Sequence, residues 1–479
     1  MRYDLPSFRV DKRDFLAGSN SYDSYPEGGF LASSVGMNSF AYPGYLSQAP
    51  VLGSTVTASL PKSGVIAWGI GGGTSSPVLA GLYADADNHG SWYLCNTSTG
   101  AMTLVGTVDT GHHYTLGVSD TVFYNGKFYT TSDTDIVEQA LDLTSRDLTF
   151  WTTTKSQTAL TSGVPHPLLV YESIMYIADG RYLHKLDGTT ASSQVWDAPP
   201  DHVITAMIEF NGLIYICAEP YNNLDGSVHG LTQMFSWDGL LESWYEQYYL
   251  DYRVNAMFVY KNRLYTWNNH FLGQWTGSEM APVRPVSSQV FKCQITATSS
   301  SMVYADGMTI VRYGAPFVPG MVRKFYNYLD TTVTNFRGII SAYADSLIVT
   351  QAHATAAPVY FLSNIDTPSS TGSRTFVFNS RSFKRAVKIR GIVVEVSAMT
   401  TGQIVKAGFY DDAGTATYGM ANGGELDGSV EAMEGKTYYR FDVKSAPTRW
   451  IEPLVTVTGN AVISAIDYLY DGSEVDLNK

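Results

Sequence analysis

Three short stretches hold side chains at spacings that chemistry can use. In Asp85-Ala86-Asp87-Asn88-His89-Gly90, carboxylates stand at the first and third positions and glycine at the sixth, as in a calcium-binding EF-hand loop. The twelfth position is Asn96, where such a loop needs a bidentate acid, and no helix pattern flanks it. A polar turn is therefore expected. His112-His113 has Asp109 and Asp120 near in sequence, but neighbours on an extended chain point to opposite faces and do not share a metal ion. Gly69-Ile70-Gly71-Gly72-Gly73-Thr74-Ser75 is rich in glycine but lacks the lysine and the following helix that a phosphate loop requires, so it reads as a loop or bulge. The nine histidines are scattered, with no Gly-x-Ser-x-Gly elbow. Among the 44 acidic residues no pair stands out as the two carboxylates of a glycosidase. The sequence thus offers no catalytic set, no cofactor and no metal site, and the chain is not expected to be an enzyme.

Two further groups point to partners. Arg381, Lys384, Arg385, Lys388 and Arg390 form the one basic cluster. On a strand, Lys388 and Arg390 share a face and Val387 and Ile389 share the other. That face is either solvated or meets an acidic subunit or DNA. Residues 1–55 are rich in Ser, Gly, Pro and Tyr and keep neither helical nor strand periodicity. Their aromatics, Tyr22, Tyr25, Phe30, Phe40, Tyr42 and Tyr45, suit an extended arm that docks on protein better than a solvated linker.

The elements behind these residues are strands. An alternating apolar strand, a turn and a second strand recur in Val122-Phe123-Tyr124-Asn125-Gly126-Lys127-Phe128-Tyr129. Further copies lie at 169–176, 208–215 and 258–265, and weaker ones at 302–309 and 341–348. Asn-Gly between alternating strands is a strong hairpin signal, because those residues tolerate positive φ. The anchor aromatics stand at 124, 171, 210, 260, 304 and 343, with gaps of 47, 39, 50, 44 and 39 residues. Those gaps match a four-stranded propeller blade. The segment from Gly64 to Cys95 is long enough to begin one more. Trp-Asp occurs only at Trp196-Asp197 and Trp237-Asp238, too seldom for an array of WD-type repeats, and neither a repeated kelch-type glycine doublet nor a sialidase Asp-box is present. A linker at 366–374 precedes strands of different spacing. The expected layout is all-β: an arm over 1–55, a six- or seven-bladed β-propeller over 56–365, and a jelly-roll-like β-sandwich over 366–479.

Composition narrows the function classes. Charged residues are 16% of the 479, against about 25% in most soluble domains. With 33 tyrosines, that low charge implies a surface that faces other protein. A net charge of −13 disfavours binding to nucleic acid or anionic membrane. Cys95, Cys217 and Cys293 are odd in number and far apart, so they form no disulfide framework and are expected to be buried thiols. The N-terminus lacks an apolar signal segment, and no stretch of 18 apolar residues occurs. Synthesis in a cytoplasm, without secretion or membrane insertion, is expected.

The Tyr- and Gly-rich arm, the Phe-Tyr-Asn-Gly-Lys-Phe-Tyr repeats and the closing strands resemble structural proteins of tailed-bacteriophage virions. The ending Trp450-Ile451-Glu452-Pro453-Leu454-Val455-Thr456-Val457, then Ile463-Ser464-Ala465-Ile466-Asp467-Tyr468-Leu469-Tyr470, is similar to the last strands of many such propellers. The style is closest to the tail nozzle proteins of short-tailed phages. That resemblance implies a virion component made in the host cytoplasm and present as a homo-oligomeric ring, six-fold by preference. It would contact adaptor or tail proteins, with DNA only as passing genome. The alternatives are a receptor- or glycan-binding tail module that stacks sugars on Trp92 or Trp267, and a propeller glycosidase.

Overall fold

The computed structural model describes residues 7–10, 31–33, 45–49, 64–73, 76–142, 145–220, 231–241, 243–307, 309–314, 324–330, 336–341, 345–351, 359–367, 372–378, 380–419, 425–428 and 437–471. Tyr22, Tyr25, Phe30 and Tyr42 fall outside these, or have side chains that do. The chain forms two compact units. One is Gly53–Met308 with Thr331–Ser363; the other is Met1–Leu52 with Thr309–Asp330 and Asn364–Lys479.

Seven antiparallel sheets, each built from consecutive strands, make a seven-bladed β-propeller. Their innermost strands are Val65–Gly73, Thr121–Tyr124, Leu168–Tyr171, His202–Phe210, Ala256–Val259, Ile295–Ala297 and Phe336–Ile340. These follow one another around a ring, and the seventh lies against both the sixth and the first. Six blades have four strands; the seventh has three among the described residues. Blade count, open between six and seven from sequence, is settled by Val65–Gly73, whose long glycine-rich strand begins a blade without an anchor aromatic. Gly69 and Gly71 of that strand are needed for packing, since a Cβ there would lie 2.8 Å and 2.6 Å from the rings of Phe128 and Phe123. The stretch read as a loop or bulge is therefore mostly a strand.

The repeat visible in sequence has a structural reason. The turn between first and second strands has both residues at positive φ in Asn125-Gly126, Glu172-Ser173, Asn211-Gly212 and Lys261-Asn262. This is the hairpin turn that matches strand twist. The anchor tyrosine just before the turn reaches the turn of a later blade. Tyr124 Oη donates to Ser173 O (3.0 Å), Tyr171 Oη to Gly212 O (2.7 Å) and Tyr260 Oη to Ser300 O (2.8 Å). One copy is out of phase. Met302–Thr309 contains the turn between the second and third strands of blade 6, not the first and second, so Tyr304 lies one strand further out than the other anchors.

The other unit contains a ten-stranded antiparallel sheet made from N-terminal and C-terminal segments, while its Thr309–Asp330 supplies the two outer strands of the sixth four-stranded sheet. Its long strand, Arg381–Val396, pairs with Thr448–Thr458 at one end and Ile463–Asp471 at the other, with an irregularity between Ser382 and Val387. The sheet is therefore continuous, yet its halves enclose one core that includes Phe376, Val394, Val405, Val455 and Ile466. Tyr468 on one half donates to Gly408 O on the other at 2.7 Å. The sandwich expected from 366 onward is thus a folded sheet, and N-terminal segments add strands to it. Ser7–Val10 pairs with Ile463–Asp471, and Leu31–Ser33 with Ser373–Phe378. Arg9 binds Glu395 (2.8 Å) and Asp467 (3.1 Å), and Phe8 stacks on Tyr468 at 4.9 Å.

Candidate metal centre and the inner cavity

Alternation of antiparallel strands gives the propeller two rims. At one, the inner strands end in the tyrosine-clasped turns. At the other, the inner strands begin and the turns between second and third strands close. This second rim is acidic. Its turns carry Asp85, Asp133, Asp179, Glu219, Asn268, Asp306 and Gln351, one in each blade. Several of these accept backbone N–H groups of the incoming chain: Asp133 from His113 (3.0 Å), Asp179 from Thr161 (2.7 Å) and Asp306 from Ser287 (2.6 Å). Each such bond satisfies a donor that has no place in a strand ladder.

In blade 1, Asp85 folds the turn. Its Oδ1 accepts the N–H groups of Asp87 (2.8 Å) and His89 (2.9 Å), and Asn88 takes φ +64°. Burial acts to raise the Asp85 pKa, but these hydrogen bonds outweigh it and hold the carboxyl below its ordinary value. His89 Nδ1 lies 3.1 Å from Asp85 Oδ2. Ligand atoms of Asp85, Asp87 and His89 all lie within 4.8 Å of one another. His113, opposite His89 in the strand pairing, stacks on it with ring centres 5.9 Å apart and has Nδ1 3.0 Å from Asp87 O. Asn96 lies at the far end of the third strand, where its Oδ1 accepts the N–H groups of Ser98 and Thr99. The spacing that resembled an EF-hand is therefore a hairpin turn, and the residue that joins the two aspartates is His89.

His112 and His113 take different partners, as their adjacency on a strand dictates. His112 Nδ1 is 3.0 Å from Asp109 Oδ2, which also accepts Tyr114 Oη at 2.7 Å. The Asp109 hydrogen bond raises the His112 pKa above its ordinary value.

Inside the propeller unit is a cavity of about 330 Å³ lined by inner-strand residues, including Ile66, Leu169, Met207, Met257, Phe258 and Ile339. Its polar lining includes Lys292 and Asp120. Lys292 Nζ donates to Asp120 Oδ2 (2.6 Å) and Leu168 O (3.2 Å). Asp120 also accepts Thr121 N and Leu168 N. This lysine and aspartate thus join chain segments from three blades. Glu219 is fully buried with Arg253 Nε 3.0 Å away, yet burial pushes its carboxyl up to about 7. All three cysteines are buried, and burial raises Cys95 and Cys293 to about 12.

The remaining residues singled out in the sequence are placed as follows. Arg390 is exposed and pairs with Asp471 at 3.0 Å; Lys388 is half-buried opposite Asp471, while Val387 and Ile389 lie in the core. Tyr45 is partly exposed. Trp92 and Trp267 are buried at 1% and 0% exposure and have no face free for a sugar. Exposed aromatics that sequence reasoning missed include Tyr252 and Tyr438 and, near Leu240 (79%) at the outer edge of blade 4, Tyr245 (55%) and Tyr249 (63%). The one signal for the blade 4 pair was Leu240-Leu241, two apolar residues directly after the Asp238-Gly239 turn. Among the described residues no helix is long and apolar enough to cross a membrane.

No protein-family model matches the chain, and no curated protein matches it. Solved structures similar to it include BamB from Moraxella catarrhalis, at 11% identity and a TM-score of 0.38, covering 69% of this chain and 96% of that one. Two structures of Hsv2 from Kluyveromyces lactis, one with loop 6CD complete, are similar at 7% identity and a TM-score of 0.38, covering 67% of this chain and 94% of theirs.

Proposed function

We propose that this protein is a structural component of a bacteriophage virion, a tail-nozzle or tail-region ring protein. It docks neighbouring virion proteins and surrounds the genome exit path. The observation that carries the reading is the outer edge of blade 4. Leu240, Leu241, Tyr245 and Tyr249 are exposed there, next to and on the strand Glu246–Leu250, which ends its sheet. An exposed apolar edge on a rigid, low-charge scaffold is what a protein-facing surface requires. Mass spectrometry of purified particles, with immunolabelling of the tail, tests it. The chain is expected in the particle in several copies, and its absence from particles would reject the reading.

A second reading, a glycan-binding tail module, is favoured by one detail of that edge. Tyr245, Gln247 and Tyr249 alternate along the strand, and Gln247 Nε2 donates to Gln233 Oε1 at 2.7 Å and Tyr249 Oη at 3.3 Å. Aromatic rings beside amides suit sugar faces and hydroxyls. Binding on a glycan array that is lost in Tyr249→Ala would support it; an array without signal would discard it.

A further inference from the structure

We propose that Asp85, Asp87 and His89 bind a divalent transition-metal ion of the zinc class, with His113 as a supporting imidazole. The three side chains bring two carboxylates and one imidazole from a single turn to within 4.8 Å of one another. Zinc takes nitrogen and oxygen ligands at about 2.0–2.2 Å, so ligands of a tetrahedral site lie roughly 3.3–3.5 Å apart. Asp85 Oδ2 and His89 Nδ1 already stand 3.1 Å apart. Asp87 is exposed, so a rotamer change closes the rest of the gap without moving the backbone.

An independent observation comes from another strand. His113 lies against the His89 ring, and its Nδ1 is placed to donate to the carbonyl of Asp87. The carbonyl on Nδ1 and the stacking fix the His113 ring against His89, so it supports the site from outside the ligand set. Charge acts in the same direction. Among the described residues no lysine or arginine pairs with Asp85 or Asp87, and the acidic side chains of Asp109 and Asp133 sit on the strand end and turn that flank His113. The imidazole selects against calcium and magnesium, which prefer oxygen ligands alone. Asp85 already closes the turn through backbone N–H groups, so the metal adds to a turn that stands without it.

The test uses the full chain stripped with chelator and titrated with Zn²⁺ by calorimetry, then with Co²⁺ by visible absorption. One saturable equivalent is expected, with cobalt absorption that reports nitrogen and oxygen ligands, and with no competition from Ca²⁺. His89→Gln and Asp87→Asn should each weaken binding about tenfold or more, and His113→Gln less. Should His89→Gln not fold, Asp87→Asn on its exposed turn decides alone. Absence of saturable binding, or binding unchanged in Asp87→Asn, would overturn the proposal.

Discussion

The two rims of the propeller are built by opposite means. At the clasped rim, uncharged tyrosine hydroxyls donate to turn carbonyls of other blades, and the turns need residues that accept positive φ. At the acidic rim, carboxylates capture N–H groups of incoming chain, and one lysine and one arginine are held by Asp120 and Glu219. The difference teaches where the fold stores its electrostatic cost. The clasped rim relies on hydroxyls and backbone groups, whereas the acidic rim holds carboxylates shifted by their surroundings: hydrogen bonds keep Asp85 and Asp179 below their ordinary value, and burial lifts Glu219 above it.

The largest break in that contrast is Asp120→Ala. It removes the acceptor of Leu168 N and Thr121 N together with the partner of Lys292, and orphaned buried donors cost more than the bonds alone. A loss of about 3 kcal/mol is expected from urea denaturation. Glu219 comes next. Its folded pKa, about 7, lies above the ordinary 4.5, so the folded state holds the proton more tightly. Stability from this group is present below pH 4.5 and falls as pH rises towards 7, by on the order of 3 kcal/mol. Glu219→Gln should flatten that slope in a pH series of denaturation midpoints; an unchanged slope would show that Arg253 compensates the charge.

At the clasped rim the effects are smaller. Tyr124 Oη both donates to Ser173 O and accepts from Gly188 N, whereas Tyr171 only donates to Gly212 O. Tyr124→Phe should cost about 2 kcal/mol and Tyr171→Phe about 1 kcal/mol, read as shifts in chemical denaturation. Equal costs would mean that the Gly188 N–H finds water instead. The smallest effect is a gain. Ser173 sits at φ +63° without the freedom of glycine, so Ser173→Gly should stabilise by about 0.5–1 kcal/mol.

The same contrast explains what could be read from the sequence. The clasped rim is written in local code, because positive φ selects Asn-Gly and the clasp selects tyrosine just before it. Five of the six copies are therefore in phase along the propeller, the fifth marked by Asp345, at φ +60°, in the same turn of blade 7. Blade 6 misled because Asp306-Gly307 uses the same code at the other rim, between the second and third strands. Blade 1 was faint because its inner strand is glycine-rich for packing against Phe123 and Phe128, a reason held in another blade. The acidic rim is non-local. Nothing near Asp120 in sequence marks Lys292 as its partner, and in the other unit nothing near Arg390 marks Asp471. The turn at Asp85 was noticed for its carboxylates, but an EF-hand template puts the next ligands further on, whereas a hairpin returns His89 at once and brings His113 from the neighbouring strand. Trp92 and Trp267 show the limit of residue type: a tryptophan can stack a sugar or fill a core, and only the packing separates the two.

A reconstruction of the intact particle with this chain fitted tests the structural role most directly. The account predicts several copies arranged in a ring around the tail axis, with the blade 4 edge at Leu240 and Tyr249 covered by a neighbouring protein. A particle without the chain, or a chain present with that edge facing solvent in every copy, would contradict it.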